Sequence, residues 1–508
     1  MDDFNQVLRA RREKLDALKE KGIEPFAHSY IPSHRSDEVI MGFEELEAQG
    51  SLAEGDEGER SSVAGRILSW RDHGKSHFAH VGDAGGSIQI YFKSDIVGDE
   101  RFEELNLLDL GDWIGIEGPT FRTRTGEITI RAESYTLLTK SLRPLPFGKT
   151  EENTETGERI EHSGFTDPET RYRQRYADLA VHPDLRSVFE TRTKIIRALR
   201  SFLDFEDFLE VETPVLQPLY GGASAKPFVT HHEALGLTMY LRIADELYLK
   251  RLLVGGLDRV YEISKDFRNE GLSRVHNPEF TMLEWYQAFT DYNDQMVLVE
   301  RIVGHVLDEV LSTRELRYGN EMISFEPPFP RISLVGALSE ALGVDVLHLE
   351  DQALRKRAKA LALDDVDTAG RGKLIDKLFA ALVEPGLVQP TFVIDHPKEL
   401  SPLAKEHRSD SRLTERFELY VGRVELCNGF SELNDPLDQR ARFEAQAGLR
   451  DAGDDEAHQI DDDYLRALEY GMPPTGGVGL GVDRLVMMIT NQPSIRDVIL
   501  FPILRPEE

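Results

Sequence analysis

Arginine, aromatic and carboxylate side chains crowd one stretch of this 508-residue chain, FRNEGLSRVHNPEFTMLEWY, residues 267–286. Period-2 spacing puts Glu262, Ser264, Asp266, Arg268 and Glu270 on one face of a first extended run. It puts Phe280, Met282, Glu284 and Tyr286 on one face of a second, because strand side chains alternate. The loop between them carries Arg274, His276 and Asn277 and closes with Pro278, which has no N–H to give to a ladder. An antiparallel pair of this kind would hold a guanidinium, an aromatic plate and several carboxylates at one strand end. That set suits a nucleotide phosphate, a flat base and a cationic or metal-bridged group. A hairpin with a solvated charged rim is the plainer reading. Against it, the charges stand beside Phe280, Trp285 and Tyr286, and a distant segment repeats the pattern.

That second segment, RFELYVGRVELCNGFSELND (416–435), again reads as paired strands, joined near Gly422. Glu418 and Glu425 fall on adjacent runs; oxygen ligands of this kind suit Mg²⁺, which takes one or two carboxylates and fills out with water and phosphate oxygens. Asn428, Phe430 and Glu432 alternate onto one face, a stripe suited to a small cationic ligand, although acidic edge strands also serve to discourage aggregation. A third segment, TGGVGLGVDRLVMMITN (475–491), has Gly476, Gly477, Gly479 and Gly481, which let a backbone approach closely. A helix follows from about Asp483 with Leu485, Met488 and Ile489 inward. Arg484 in its first turn could cover a base or meet a phosphate. A dinucleotide fingerprint does not fit, because too few residues follow to supply the next strand and its ribose-binding acid. A phosphate loop at Gly148-Lys149-Thr150 fails too, since Arg143 stands at its first glycine. His231-His232-Glu233 lacks the HExxH zinc spacing.

The elements that must carry these groups are readable in outline. Residues 1–60 read as a helical arm, basic in its first half and ending in an acidic, Gly-rich connector. Short alternating runs over 61–140 read as a small five-stranded barrel with a helix at 97–108. Basic and aromatic residues interleave there, as in single-strand binders that stack bases and track phosphates. Phe78, beside Gln89, is the better stacking candidate, while Trp70 and Tyr91 read as core. Residues 141–180 form a charged linker, and 181–508 an α/β region opened by a helix at Arg186–Phe205. Within it, 296–412 reads as a mostly helical insertion.

Composition sets the limits. Apolar content of 40% and charged content of 30% describe a globular protein. No run approaches the roughly 18–20 apolar residues of a membrane span, and the charged N-terminus lacks a signal-peptide core. The single cysteine, Cys427, excludes an internal disulfide and fits a reducing cytosol. Sixty basic against 91 acidic residues leave a net charge of −31. That argues against a polyanion partner unless local basic patches supply one; uniform acidity could instead serve solubility in a salty cytoplasm.

In their order, the segments resemble the motifs of class II aminoacyl-tRNA synthetases: FLEVETP is similar to motif 1, FRNEG…HNPEFT to motif 2 and GVGLGVDR to motif 3. The barrel looks like the anticodon-binding domain of the subclass for lysine, aspartate and asparagine. HNPEFT, ELYLKRL and ELCNGFSELND resemble the lysyl-tRNA synthetase family in particular, and the resemblance covers essentially the whole chain. It implies an α+β fold, an N-terminal OB-fold barrel followed by a catalytic domain whose antiparallel sheet is flanked by helices. It implies ATP-dependent activation of L-lysine, transfer to tRNA(Lys), a Mg²⁺ cofactor, a cytoplasmic location without membrane contact, and a homodimer with Pro214 at its interface.

By the same resemblance Arg268 would hold the ATP α-phosphate and the lysine carboxylate. Glu270, His276, Asn277 and Phe280 would contact ATP, with Phe280 under the adenine and Arg484 over it. Glu418 and Glu425 would carry Mg²⁺, and Glu425 would also face ATP. Gly222, Glu246, Glu284, Tyr286, Asn428, Phe430 and Glu432 would line the lysine pocket, and Arg66, Phe78, Gln89 and Glu133 would read the anticodon. Departures exist. Val275 stands directly before His276, where relatives commonly have arginine, and Asp207 replaces a common motif 1 glycine, which opens the helix–strand turn to another shape. The acidic stretch at 151–163 matches no role. Three rivals remain in view. An adenylating relative acting on a protein or small molecule would usually drop the barrel. An aspartate or asparagine enzyme would want cations at Glu246 and Glu432. A regulatory binder would have no need of Arg268, Glu418, Glu425 and Arg484.

Overall fold

The computed structural model describes residues 2–53, 55–152, 159–162, 164–451 and 459–507. They divide into two units, Met1–Pro183 and Asp184–Glu508.

In the first unit six strands, Glu57–Asp72, Ser76–Gly82, Ser87–Lys93, Trp113–Arg122, Ile128–Arg131 and Ser134–Thr139, form one sheet. The first strand pairs with both Ser76–Gly82 and Trp113–Arg122, which closes the sheet into a barrel. Closure removes exposed edges. The stretch read as a fifth strand is two strands, because the chain changes partners at Ala132 and Glu133. Ala132 donates its N–H to the Tyr91 carbonyl, and Glu133 donates to Glu117. The single helix expected at 97–108 is broken in two at Gly98, whose φ of 87° no helix accommodates. The arm contributes helices Asp2–Glu20 and Ser36–Ala48, which bury Leu18 and Val39 in the barrel core. In the acidic stretch, Lys149–Glu152 pairs with Arg159–His162; residues 153–158 and 163 lie outside the described residues.

The second unit is built on a nine-stranded sheet. Its path runs Arg331–Ser333, Thr391–Pro397, Asp410–Val421, Val424–Ser431, Thr475–Gly481, Glu279–Ala288, Arg259–Phe267 and Leu209–Glu210, and the ninth strand, Glu406–His407, pairs with Asp410–Val421 off this path. Alternation gives the sheet two chemically different faces. Tyr261, Leu283, Trp285, Val478 and Leu480 turn to one face and are buried under helices Arg186–Phe205, Tyr292–Leu311 and Val482–Ile489. Polar side chains turn to the other face and wall the site. The 296–412 region differs from its reading as a helical insertion: beside helices Leu334–Leu342, Asp351–Ala360 and Arg371–Leu382 it supplies strands Arg331–Ser333 and Thr391–Pro397 to the main sheet.

Candidate active site

Two cross-strand rows floor the site. Glu284, Gly479, Asn428 and Glu418 lie opposite one another across four strands, and Tyr286, Gly477, Phe430 and Arg416 form the neighbouring row. Strand Thr475–Gly481 places glycine in the middle of both rows, and the missing side chains leave room. A Cβ at Gly477 would lie 2.3 Å from Glu432 Oε1 and 2.4 Å from the Tyr286 ring. Above this floor opens a cavity of about 580 Å³. The groups singled out in the sequence on both sides of the sheet centre border it: Gly222, Glu246, Arg268, Glu270, His276, Asn277, Phe280, Glu284, Tyr286, Glu418, Glu425, Asn428, Phe430, Glu432 and Arg484.

At one end stand the cations. The strand ends at Phe267, so Arg268 and Glu270 lie just beyond it rather than on its alternating face. This loop frees Arg268 to turn across Phe280, with its guanidinium carbon 5.0 Å from the ring centre. Arg484 donates to the Glu425 carbonyl at 2.6 Å, and its other terminal nitrogen lies 3.3 Å from His276 Nε2. Partial dehydration, then the Arg484 guanidinium, holds His276 below the ordinary histidine pKa. The imidazole is therefore neutral at pH 7 and can accept or donate. Arg274 is exposed and donates to the Pro493 carbonyl at 3.3 Å, while Val275 borders the cavity. At Asp207 the backbone takes φ 61°, the left-handed region that glycine favours and aspartate tolerates.

At the other end stand the acids. Glu246, Glu284 and Glu432 are 6%, 5% and 1% exposed. Burial raises the pKa of all three: Glu284 is lifted further by Asp245, Asp266 and Glu246, and Glu432 by Glu246. Behind Glu284, Asp245 and Asp266 are fully buried, and one oxygen of each of the three lies within 4.8 Å of the others. Burial, then Asp266 and Glu262, pushes Asp245 up to about 8, while Asp266 rises to about 6 through burial. Arg242 threads these acids, 2.6 Å from Glu262 and 3.0 Å from Asp245.

Sequence reasoning missed several partners. Lys250, with no exposed surface, donates to Glu246 at 2.5 Å and is ion-paired with Glu432. Its position four residues after Glu246 on helix Glu246–Val254 was the available signal. Arg416 donates to Glu418 at 2.7 Å and to Asn428 at 2.9 Å, which fixes both side chains. Asp376, on helix Arg371–Leu382, borders the cavity with Glu384. Burial and then Glu418 raise Asp376 to about 6 and lift Glu384 as well. The donor set there is oxygen-only and overloaded with negative charge, which fits a hard divalent cation.

In the barrel, Phe78, Tyr91 and Arg131 lie opposite one another on the outer face. The Phe78 and Tyr91 rings are 4.8 Å apart. Tyr91 is thus not core, because Ile90 and Phe92 on either side of it point inward. Gln89 is buried and engaged by Thr129 and Glu127, Arg66 lies over Trp113 at 4.8 Å, and Glu133 is ion-paired with Arg60.

Comparison with known proteins gives two family matches. The family described as tRNA synthetases class II (D, K and N) matches residues 167–505, and an OB-fold nucleic acid binding domain matches residues 62–138. The chain is 50% identical to the lysine–tRNA ligase of Pelotomaculum thermopropionicum, over 100% of this chain and 96% of that protein. It is 48% identical to the lysine–tRNA ligase of Bacillus subtilis, over 99% of this chain and 98% of that protein. With the lysine–tRNA ligase of Christiangramia forsetii it shares 48% identity over 100% of this chain and 88% of that protein.

Proposed function

The chain belongs to the class II tRNA synthetases of the aspartate, lysine and asparagine group, and we propose from that premise that it ligates L-lysine to tRNA(Lys) with ATP. One observation carries the choice of lysine: three buried carboxylates, Glu246, Glu284 and Glu432, line the same cavity as Arg268 and Arg484. Cationic groups at one end suit ATP and a carboxylate; acids at the other suit two ammonium groups.

In the first step the lysine carboxylate oxygen attacks the α-phosphorus of ATP, the bond to pyrophosphate breaks, and lysyl-adenylate forms. In the second, the tRNA 3′-terminal hydroxyl attacks the lysyl carbonyl and AMP leaves. No protein nucleophile is needed, and catalysis is alignment and charge stabilisation. The planar guanidinium of Arg268 can bridge the two reacting anions. Phe280 would lie under the adenine with Arg484 over it, and Glu270, His276 and Asn277 would also contact ATP. Glu418 and Glu425 would hold Mg²⁺, which when bound neutralises charge on the phosphates. Gly222 and Glu284 would take the α-ammonium, and Glu246, Tyr286 and Glu432 the side-chain ammonium. A neutral side chain would leave those acids unpaired, so rejection should be strong without editing. Arg66, Phe78, Gln89 and Glu133 are proposed to read the anticodon. Pairing of two copies is proposed on motif 1, where Leu209, Val215 and Leu216 around Pro214 are exposed.

ATP–pyrophosphate exchange measured with each of the twenty amino acids tests the reading. Exchange is expected with lysine alone; exchange driven by aspartate or asparagine, or by none of the twenty, would sink it.

A further inference from the structure

Glu246 and Glu432 reach the cavity from different elements, the first from helix Glu246–Val254 and the second from just after strand Val424–Ser431. Lys250 does not border the cavity. It meets both carboxylates from the protein side, with its ammonium 5.2 Å from the Phe430 ring centre. Two carboxylates carry two negative charges, and Lys250 returns one positive. We propose that Lys250 is a positioning and specificity-determining residue, which opposes protonation of Glu246 and Glu432 from behind the pocket wall, so that the three groups together offer one net negative charge to one substrate ammonium.

This deepens the lysine reading and rests on it. Two buried carboxylates sharing a site cannot both stay ionised without a counter-charge; one takes up a proton. Burial already pushes both acids upward, and Lys250 is the main opposing influence on each. Lys250 is itself held charged: burial disfavours its ammonium, but Glu246 and Glu432 lift it above the usual lysine range. The other titratable groups around the pair are Glu284 and Tyr286 on strand Glu279–Ala288, Tyr464 on helix Asp462–Glu469, and Arg416 on strand Asp410–Val421. Tyr286 donates to Glu284, and Arg416 to Glu418 and Asn428, so neither replaces Lys250.

Lysine and ATP KM values from pyrophosphate exchange over about pH 6 to 7.5 test the assignment, a range in which free lysine keeps both its α-ammonium and its side-chain proton. Lys250→Met should raise the lysine KM at pH 7 at least about tenfold and leave the ATP KM within about twofold. Its lysine KM should fall as pH rises, because the proton shared by Glu246 and Glu432 competes with the ammonium; the wild-type value should stay flat. Lys250→Met/Glu246→Gln restores one net negative charge and should lose the pH dependence. A pH-independent lysine KM in Lys250→Met, or an equal rise for lysine and ATP, overturns the proposal. If Lys250→Met does not fold, the double variant decides: folding with a flat profile supports it, and failure to fold or a sloping profile overturns it. Wild-type exchange in the same series separates the two failures, since absence of exchange with lysine would overturn the lysine reading itself.

Discussion

Asp245 packs a carboxyl group against Asp266 and Glu284 in the interior, where its one cationic neighbour, Arg242, is shared among several acids. With its folded-state pKa raised to about 8, this carboxyl keeps its proton in the native protein where the unfolded chain has lost it. Its stabilising contribution is whole below the unfolded value near 3.9 and is lost as pH climbs through about 8. Asp245→Asn should therefore gain stability over wild type as pH rises from about 5 to about 8.5. Thermal unfolding at the two pH values measures this, and a difference that does not change with pH would rule the buried charge out. At this scale the sequence displayed groups that border the cavity, because Asn428, Phe430 and Glu432 alternate with apolar neighbours. It hid those that face each other: Lys250 in LYLKRLL looks like any surface cation of an amphipathic helix, and only the crossing of Glu432 behind it shows otherwise.

Strands, rather than loops, fix most of the pocket. Gly477 lies between Tyr286 and Phe430 in register, and any side chain there would enter space that Glu432 and Tyr286 already border. Gly477→Ala should raise the lysine KM at least about tenfold with a smaller change for ATP, read by pyrophosphate exchange; equal changes would mean a general loosening of the sheet. Period-2 patterning made each of these strands recognisable. It could not reveal that the glycine strand runs between the two acidic ones, since pairing order is decided by contacts far apart in sequence. Nor could it tell where alternation stops, and Arg268 works from a loop because the strand ends one residue earlier. The Asp207 turn is a further case: the aspartate takes the left-handed backbone that glycine favours, which its identity alone did not reveal.

The whole molecule is two compact units with separate hydrophobic cores. The proposed anticodon face and the proposed chemistry sit in different units, so they should fail independently. Phe78→Ala should weaken tRNA charging by about 1 to 3 kcal/mol, the worth of one base stack, while lysine-dependent pyrophosphate exchange keeps its wild-type rate. If exchange falls in parallel, the barrel is not a separable recognition module. The division between Pro183 and Asp184 lies where short strands give way to helix-led α/β patterning. Tyr91 was misplaced because a lone aromatic in a strand gives no sign of which face it takes until Ile90 and Phe92 are seen to fill the core.

The chain's single thiol, Cys427, is 1% exposed on the strand that carries Asn428 and Phe430, and burial raises its pKa. The native fold is therefore blind to thiol reagents. A fluorophore or spin label attached through an engineered surface cysteine would go to that position alone, with no wild-type thiol to remove. Slow modification of the unaltered protein by Ellman's reagent would instead clock the transient opening of the catalytic sheet.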